Sequence, residues 1–376
     1  MPDPAIALLR ELVAIDSVNP SLVPGAAGEG AIGEAVAHHL RRLGLAVTLQ
    51  EVVPGRRNVI GLLDGAEPGR SLMVCGHMDT VGVEGMAAPF DPVEREGRLY
   101  GRGAQDMKGG LAAMIDAARV AQSRGFRRGR LVVAAVIDEE YASIGADALA
   151  REWTADAAVV TEPTDLQVGV AHKGFAWIEI QARGRAAHGS RPADGRDAIF
   201  RMGRILHRLE QLDRDLQARP AHPLMGVASL HAATIGGGRE WSSYPEVCTL
   251  RVERRTVAGE SGETFLGEIE AILRDLTRED PGFAAAATLR FARPAYEVPA
   301  QGPLPGAIVD AARAAGLAAG PVGMSFWTDA AILGAAGIPT VLFGPGGAGL
   351  HSGDEYVRIA DVVACRDVLA CLMNDL

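Results

Sequence analysis

The residues of this sequence whose types and spacing suit chemistry are histidines and carboxylates, set at or just beyond the ends of short apolar runs or in the loops after them. His77 and Asp79 stand in Gly76-His77-Met78-Asp79, following Ser71–Cys75. A spacing of two puts both side chains on one side of an extended segment. One can then meet a metal ion while the other orients or charges it, the partnership that metal-bound histidines need. Taken alone, the pair equally describes a solvated turn. Asp106 lies in the glycine-rich stretch Gly101–Gly110, ahead of an apolar helix that begins at Leu111. Such an aspartate also suits a helix cap among turn glycines. The stretch contains neither GxxxxGK[ST] nor GxGxxG, so it does not make a phosphate loop. Asp138-Glu139-Glu140 closes the apolar run Arg130–Ile137. Three consecutive acids repel one another and are costly to gather beside further acids without a cation, though a solvated loop would also hold them. Adjacent side chains point in different directions, so one glutamate can ligate a metal while its neighbour reaches water. Glu162 follows Ala157–Val160, and His351 follows Pro339–Phe343 and the loop Gly344–Gly349.

The joint pattern says more than its parts. His77, Asp106, Glu140, Glu162 and His351 all fall at or just beyond the ends of strand-like runs or in the loops after them, and ligand sites of open α/β sheets lie on that edge. Two imidazoles and three carboxylates, without a thiolate, suit two divalent ions that share one bridging carboxylate.

The elements that must position these groups follow from periodicity. The first half alternates helical patterns with runs such as Val132-Val133-Ala134-Ala135-Val136-Ile137, apolar at every position as in strands buried on both faces. After Lys173-Gly174 the texture changes: Trp177–Ala182 alternates apolar and polar, as a half-exposed antiparallel strand does. Helices near 195–218 and 262–278, with strand-like pieces near 226–235, 247–256 and 286–293, complete a β-α-β-β-α-β order, the ferredoxin-like arrangement. From about 297 the α/β pattern resumes. The fold expected is therefore α/β: a mainly parallel sheet with helices on both faces forms a di-metal catalytic domain (1–173 and 297–376), interrupted by an inserted ferredoxin-like α+β domain (174–296).

Composition removes several classes. The chain has 376 residues, 48% hydrophobic and 22% charged, which are ordinary globular values. A formal net charge of -10 argues against a nucleic-acid partner, which needs clustered positive charge. No run approaches the ~18 apolar residues of a membrane helix, and Met-Pro-Asp-Pro-Ala-Ile lacks the pattern of a signal peptide. The four cysteines are scattered without CxxC spacing; a disulfide framework and a thiolate zinc ribbon are both disfavoured, and the cytoplasm is the expected compartment.

The motifs Gly76-His77-Met78-Asp79-Thr80-Val81, Gly101–Gly110, Asp138-Glu139-Glu140, Thr161-Glu162-Pro163, Gly184-Arg185-Ala186-Ala187-His188 and His351-Ser352-Gly353-Asp354-Glu355-Tyr356 occur in this order over essentially the whole chain. In this the sequence resembles the M20 metallopeptidases, which include acetylornithine deacetylase, succinyl-diaminopimelate desuccinylase, aminoacylase and glutamate carboxypeptidase. Ser243–Cys248 leading into Glu253-Arg254-Arg255 is most similar to the deacetylase and desuccinylase branch.

The resemblance implies two zinc ions, with cobalt or manganese as substitutes that an oxygen-rich site accepts. His77, Asp106 and Glu162 would hold one; Asp106, Glu140 and His351 the other, with Asp106 bridging. Glu139 would be the general base, Asp79 would steady His77, and the Asp106–Met107 peptide bond would be cis. His188, in the inserted lid, would donate to the tetrahedral oxyanion in the other subunit of a homodimer formed through that lid. Arg255, or its neighbour Arg254, would clamp the substrate carboxylate, and the backbone at Gly346 and Gly347 would approach an anionic substrate end. The implied activity is removal of an acetyl- or succinyl-type group from a small amino acid. A metallo-carboxypeptidase or dipeptidase releasing a C-terminal residue such as glutamate is the alternative. Glu at 162, where aminoacylases and acetylornithine deacetylases often have Asp, leans toward the desuccinylase and carboxypeptidase types. A non-catalytic binding protein on the same fold is disfavoured, because every ligand and Glu139 are present.

Overall fold

A computed structural model describes residues 3–374. The chain divides into two units: residues up to Val170 with Val298–Val322 and Thr328 onward, and Ala171–Glu297 with Gly323–Trp327.

The first unit is built on a sheet of β1 (Ala46–Val53), β2 (Arg56–Asp64), β3 (Glu67–His77), β4 (Arg128–Val136), β5 (Ala157–Val160), β6 (Val168–His172) and, late in the chain, Thr340–Leu342. Its order is β1-β2-β4-β3-β5, then Thr340–Leu342, then β6. The centre is parallel, with Leu72 opposite Leu131 and Ala157, and Val341 opposite Val159, while β1, β2 and β6 pair antiparallel at its flanks. Leu131–Ile137 are buried without alternation, as expected of strands covered by helices on both faces. One of those helices, Gly109–Ser123, is apolar on nearly all sides and packs on the C-terminal helix Ile359–Asn374, which makes it a core helix rather than a surface one. Because the central strands run the same way, the residues following β3, β4, β5 and Thr340–Leu342 share one edge. A small antiparallel sheet (Val93–Arg95, Arg98–Tyr100, Tyr356–Arg358, Gly347–Ala348) pairs Leu99 with Val357 and so brings the loop after residue 100 beside the loop before residue 356.

The second unit is a four-stranded antiparallel sheet in the order Ser229–Gly237, Val247–Thr256, Gly174–Arg183, Ala284–Arg293, with helices Ala198–Gln217 and Gly262–Glu279. Ile178, Ile180 and Ala182 alternate into a core shared with Met202, Ile205, Leu250, Val252, Phe265 and Ile269. Both helices begin at the residues that hydrogen-bonding caps favour: Asp197 accepts from the N–H groups of Ile199 and Phe200, and Ser261 from that of Thr264. The outer strand Ser229–Gly237 is exposed from His231 onward. Among the described residues no helix is long and apolar enough to cross a membrane.

Candidate metal centre

His77 is the last residue of β3, and only 1% exposed. Its Nδ1 lies 3.0 Å from the backbone oxygen of Asp79. A carbonyl oxygen only accepts, so Nδ1 carries the hydrogen and Nε2 is left facing carboxylates: Asp106 Oδ1 at 3.1 Å, Glu162 Oε1 at 3.8 Å and Glu139 Oε2 at 4.0 Å. The other oxygen of Asp106, Oδ2, is 3.4 Å from His351 Nε2, which is also 3.2 Å from Glu140 Oε2. Asp106 therefore stands between the two imidazoles with one oxygen toward each. Ligand-capable atoms of His77, Glu139 and Glu162, and likewise of His77, Asp106 and Glu140, all lie within 4.8 Å of one another.

Three local structures create this convergence. The Asp106 turn departs from helical geometry at Asp106 and Met107, and the peptide bond between them is cis. His351 takes a left-handed backbone (φ 60°), which turns its ring back toward Glu140. The loop after β4 is held by Asp79: its Oδ1 accepts the N–H of Glu139 (3.1 Å), and its Oδ2 accepts the N–H of Glu140 (3.1 Å) and the amide of Asn19 (2.7 Å). Asp79 thus steadies His77 mainly through its backbone oxygen, while its carboxylate fixes the two glutamates. Asp138 does not join them. It accepts from Arg56 Nη2 (3.0 Å), Ser21 Oγ (3.1 Å) and Asn19 (3.2 Å), and Arg56 is itself paired with buried Glu29. The first of the three consecutive acids shares a guanidinium with Glu29; the next two face the inward cluster.

The electrostatics follow from crowding. Burial, then the charge of Glu162, pushes the Glu139 carboxyl well above its usual range. Burial and Asp106 do the same to Glu162. Burial raises Asp79 to about 7. Burial opposes charge on His77, yet the hydrogen bond to Asp106 and the charges of Glu162, Glu139 and Asp79 raise it well above the ordinary imidazole value. Asp106 is itself held low: burial would raise it, but hydrogen bonds from His351 and His77 outweigh that. Hydrogen bonds to Asp106 and Glu140 lift His351 to about 10. Two imidazole nitrogens and four carboxylates point inward, and the basic side chains of this neighbourhood are engaged elsewhere, Arg56 by Glu29 and Asp138 and Lys108 by the backbone oxygen of Ile15. Such a donor set demands positive charge, and nitrogen and oxygen ligands without thiolate suit divalent ions. The residues present fit a two-metal group.

Residues 73–375 match the model of peptidase family M20/M25/M40. The chain belongs to that family. The M20 assignment makes it a metal-dependent hydrolase. It is 34% identical over 329 residues to an acetylornithine deacetylase of Myxococcus xanthus, covering 83% of this chain and 82% of the relative. A tripeptidase structure from Staphylococcus aureus subsp. aureus mu50 has a TM-score of 0.83 at 21% identity, over 99% of this chain and 97% of that one. A Bacillus subtilis dinuclear metal-binding peptidase of the M20 family has a TM-score of 0.76 at 17% identity, over 99% and 97%. These two share the M20 fold with this chain.

The remaining M20-type candidates divide. His188 and Arg255 belong to the second unit. His188 is exposed, and its Nδ1 accepts from the Ser190 N–H at 3.2 Å, which leaves Nε2 as the ring's donor. Arg254 is buried beneath the sheet, paired with Glu260 and Glu268 and stacked on Phe265; it is part of that core. Arg255 lies on the opposite face over Phe175, with Glu253 Oε1 at 2.7 Å from its Nε. In the first unit, the Gly346 N–H donates to Asp361 Oδ2 at 3.1 Å, and Gly347 pairs with Val357. A side chain at Gly346 would collide with Arg358 and Asp165, and one at Gly347 with the backbone oxygen of Tyr356. Close packing accounts for the absence of side chains at both glycines, and the Gly346 N–H is engaged by Asp361. Sequence reasoning missed Asn19, Glu29, Arg56 and Asp329. The first three act through contacts between distant segments, and Asp329 is a buried carboxylate whose charge adds to the upward push on Glu139 and Glu162.

Proposed function

We propose that this protein is a two-metal amide hydrolase that removes an N-acyl group, of acetyl or succinyl type, from a small amino acid. The observation that carries the reading is Asp106 set between His77 and His351, with Glu139 close by on the same edge. His77, Asp106 and Glu162 would hold one ion and Asp106, Glu140 and His351 the other; zinc is the proposed metal, with cobalt or manganese as substitutes. When bound, such a pair supplies Lewis acidity and makes water a competent nucleophile near neutral pH. Glu139 takes a proton from the attacking water and passes it to the departing nitrogen, since an amine leaves only when protonated. Its place beside the proposed ligands, with Oε2 4.0 Å from His77 Nε2, supports this. His188 donates through Nε2 to the oxyanion, and Arg255, rather than the buried Arg254, takes the substrate carboxylate.

The second unit is the lid of this enzyme and its dimer contact. The open edge of Ser229–Gly237 and the exposed Phe200, Ile235 and Trp241 support the dimer contact, because an unpaired edge strand is a template for pairing. The N-acyl substrate is favoured by likeness to the acetylornithine deacetylase. Release of a C-terminal residue is the second reading, favoured by Glu rather than Asp at 162. A panel of N-acetyl and N-succinyl amino acids, dipeptides and glutamate conjugates, assayed on metal-reconstituted protein, tests the choice. Turnover confined to the dipeptides or conjugates overturns the deacylase reading.

A further inference from the structure

Glu355 is 1% exposed, lies four residues beyond His351, and spends its carboxylate on a distant stretch of chain. Oε1 accepts the N–H groups of Gln105 (2.9 Å) and Asp106 (3.1 Å). Oε2 accepts the N–H of Gly103 (3.1 Å) and Nη1 of Arg102 (2.6 Å). A carboxylate offers about four lone-pair sites, so this one is saturated, and by the backbone that presents Asp106. Arg102 is buried too, and its Nε donates to the Gly82 oxygen at 2.9 Å, so the ion pair is held from both ends. The Gly101 N–H closes the contact by donating to the backbone oxygen of Glu355 at 3.2 Å.

The two halves of the proposed centre are not held alike. His77 ends a central strand and Glu162 closely follows one, and His77 is fixed further by Asp79. Asp106 and His351 instead stand on irregular loops, and the side chain of His351 is 53% exposed. We propose that Glu355 is a positioning residue: its carboxylate locks the Asp106 loop to the His351 loop and thereby builds the ion position shared by Asp106, Glu140 and His351. This rests on the two-metal reading above. Glu355 touches neither substrate nor ion; it acts through the placement of two ligands.

The test uses Glu355→Gln and Glu355→Asp. Glutamine sets an amide NH2 against backbone N–H or guanidinium donors, and aspartate withdraws the carboxylate by one carbon. Chelator-stripped protein is titrated with Zn2+ alone, and melting is followed in parallel. Loss of outer partners of metal ligands typically weakens metal binding by 10–100-fold. Both variants are expected to bind the second ion at least ~10-fold more weakly and the first, which keeps His77 and Glu162 but shares Asp106, by a smaller factor, with kcat falling and KM changing less than about twofold. Asp116→Asn, which weakens the buried pair with Arg366 (2.8 Å) away from the centre, should lower the melting midpoint and leave both affinities intact. If the Glu355 variants behave like Asp116→Asn, the role is structural only and the inference falls. Hydrogen exchange on the wild type needs no variant: removing Zn2+ should loosen peptides 101–108 and 349–356 together, and opening of the second alone overturns the coupling. Wild-type protein that binds fewer than two ions refutes the underlying metal reading, and this inference with it; two tight wild-type ions with unaltered variants refute the inference alone.

Discussion

Asp79→Asn isolates what the Asp79 carboxylate does, because the substitution leaves the backbone oxygen that holds His77 in place. Each oxygen of Asp79 accepts a backbone N–H of the loop after β4, Glu139 at Oδ1 and Glu140 at Oδ2, and Oδ2 also accepts from Asn19. An asparagine has one oxygen. Placing it at Oδ2 keeps two of the three bonds and turns an NH2 toward the N–H of Glu139, two donors face to face. Hydrogen bonds to a charged group are worth ~1.5–3 kcal/mol, and each 1.4 kcal/mol is a factor of ten. The Glu139 backbone should therefore shift or loosen at a cost of roughly ten- to a hundredfold in kcat, with metal content close to wild type. Steady-state kinetics on metal-loaded protein, with elemental analysis of the same sample, measure both. A variant within twofold of wild-type kcat would refute the claim that this carboxylate aims the base. Loss of activity that tracks loss of metal would assign Asp79 to the ligands instead.

Glu139→Gln should keep the metal content and lose ~10²–10⁴ in kcat, the usual contribution of a general base; activity within threefold of wild type removes Glu139 from the proton transfers. Arg56→Met leaves Glu29 and Asp138, each with side chains 1% exposed, without their guanidinium. Breaking a buried pair on one side costs ~3–5 kcal/mol, so urea unfolding should shift by about that much, and a change below ~1 kcal/mol would contradict the network. Burial pushes His172 down from 6.5 to about 4, with its Nδ1–H donating to the Lys173 oxygen. Between those values the unfolded chain binds a proton that the folded one refuses, so stability falls as pH falls, by roughly 3 kcal/mol in all. His172→Phe should flatten that part of the pH–stability curve measured by urea unfolding; an unchanged slope would assign it to other groups.

The shared edge was legible for His77, Glu140 and Glu162, because each follows an apolar run too uniform for a half-exposed strand; Asp106, in a glycine-rich stretch, carried no such signal. Val132–Ile137 announces burial on both faces, and parallel strands so buried put their following loops on one side. The β-α-β-β-α-β order was equally legible, from the change to alternation at Trp177–Ala182. What the sequence hid is pairing at a distance. Asp138, Glu139 and Glu140 look alike in sequence, yet Arg56, some eighty residues earlier, answers the first and leaves the others inward. Glu355 lies within the motif His351–Tyr356, but its partners include backbone N–H groups 249 to 252 residues away, which no side-chain pattern can signal. Gly346 and Gly347, whose backbone was expected to approach an anionic substrate end, have a second, packing reason to be glycine that the sequence did not show: Arg358, Asp165 and the Tyr356 oxygen stand where side chains would be.

The most direct measurement is a crystal structure of zinc-loaded protein, with anomalous data collected at the metal edge and elemental analysis of the same batch. Two anomalous peaks per chain are expected, one bounded by His77, Asp106 and Glu162 and the other by Asp106, Glu140 and His351, with Glu139 coordinating neither. A single peak, peaks away from these side chains, or Glu139 ligating an ion in place of Glu140 or Glu162 would contradict the account.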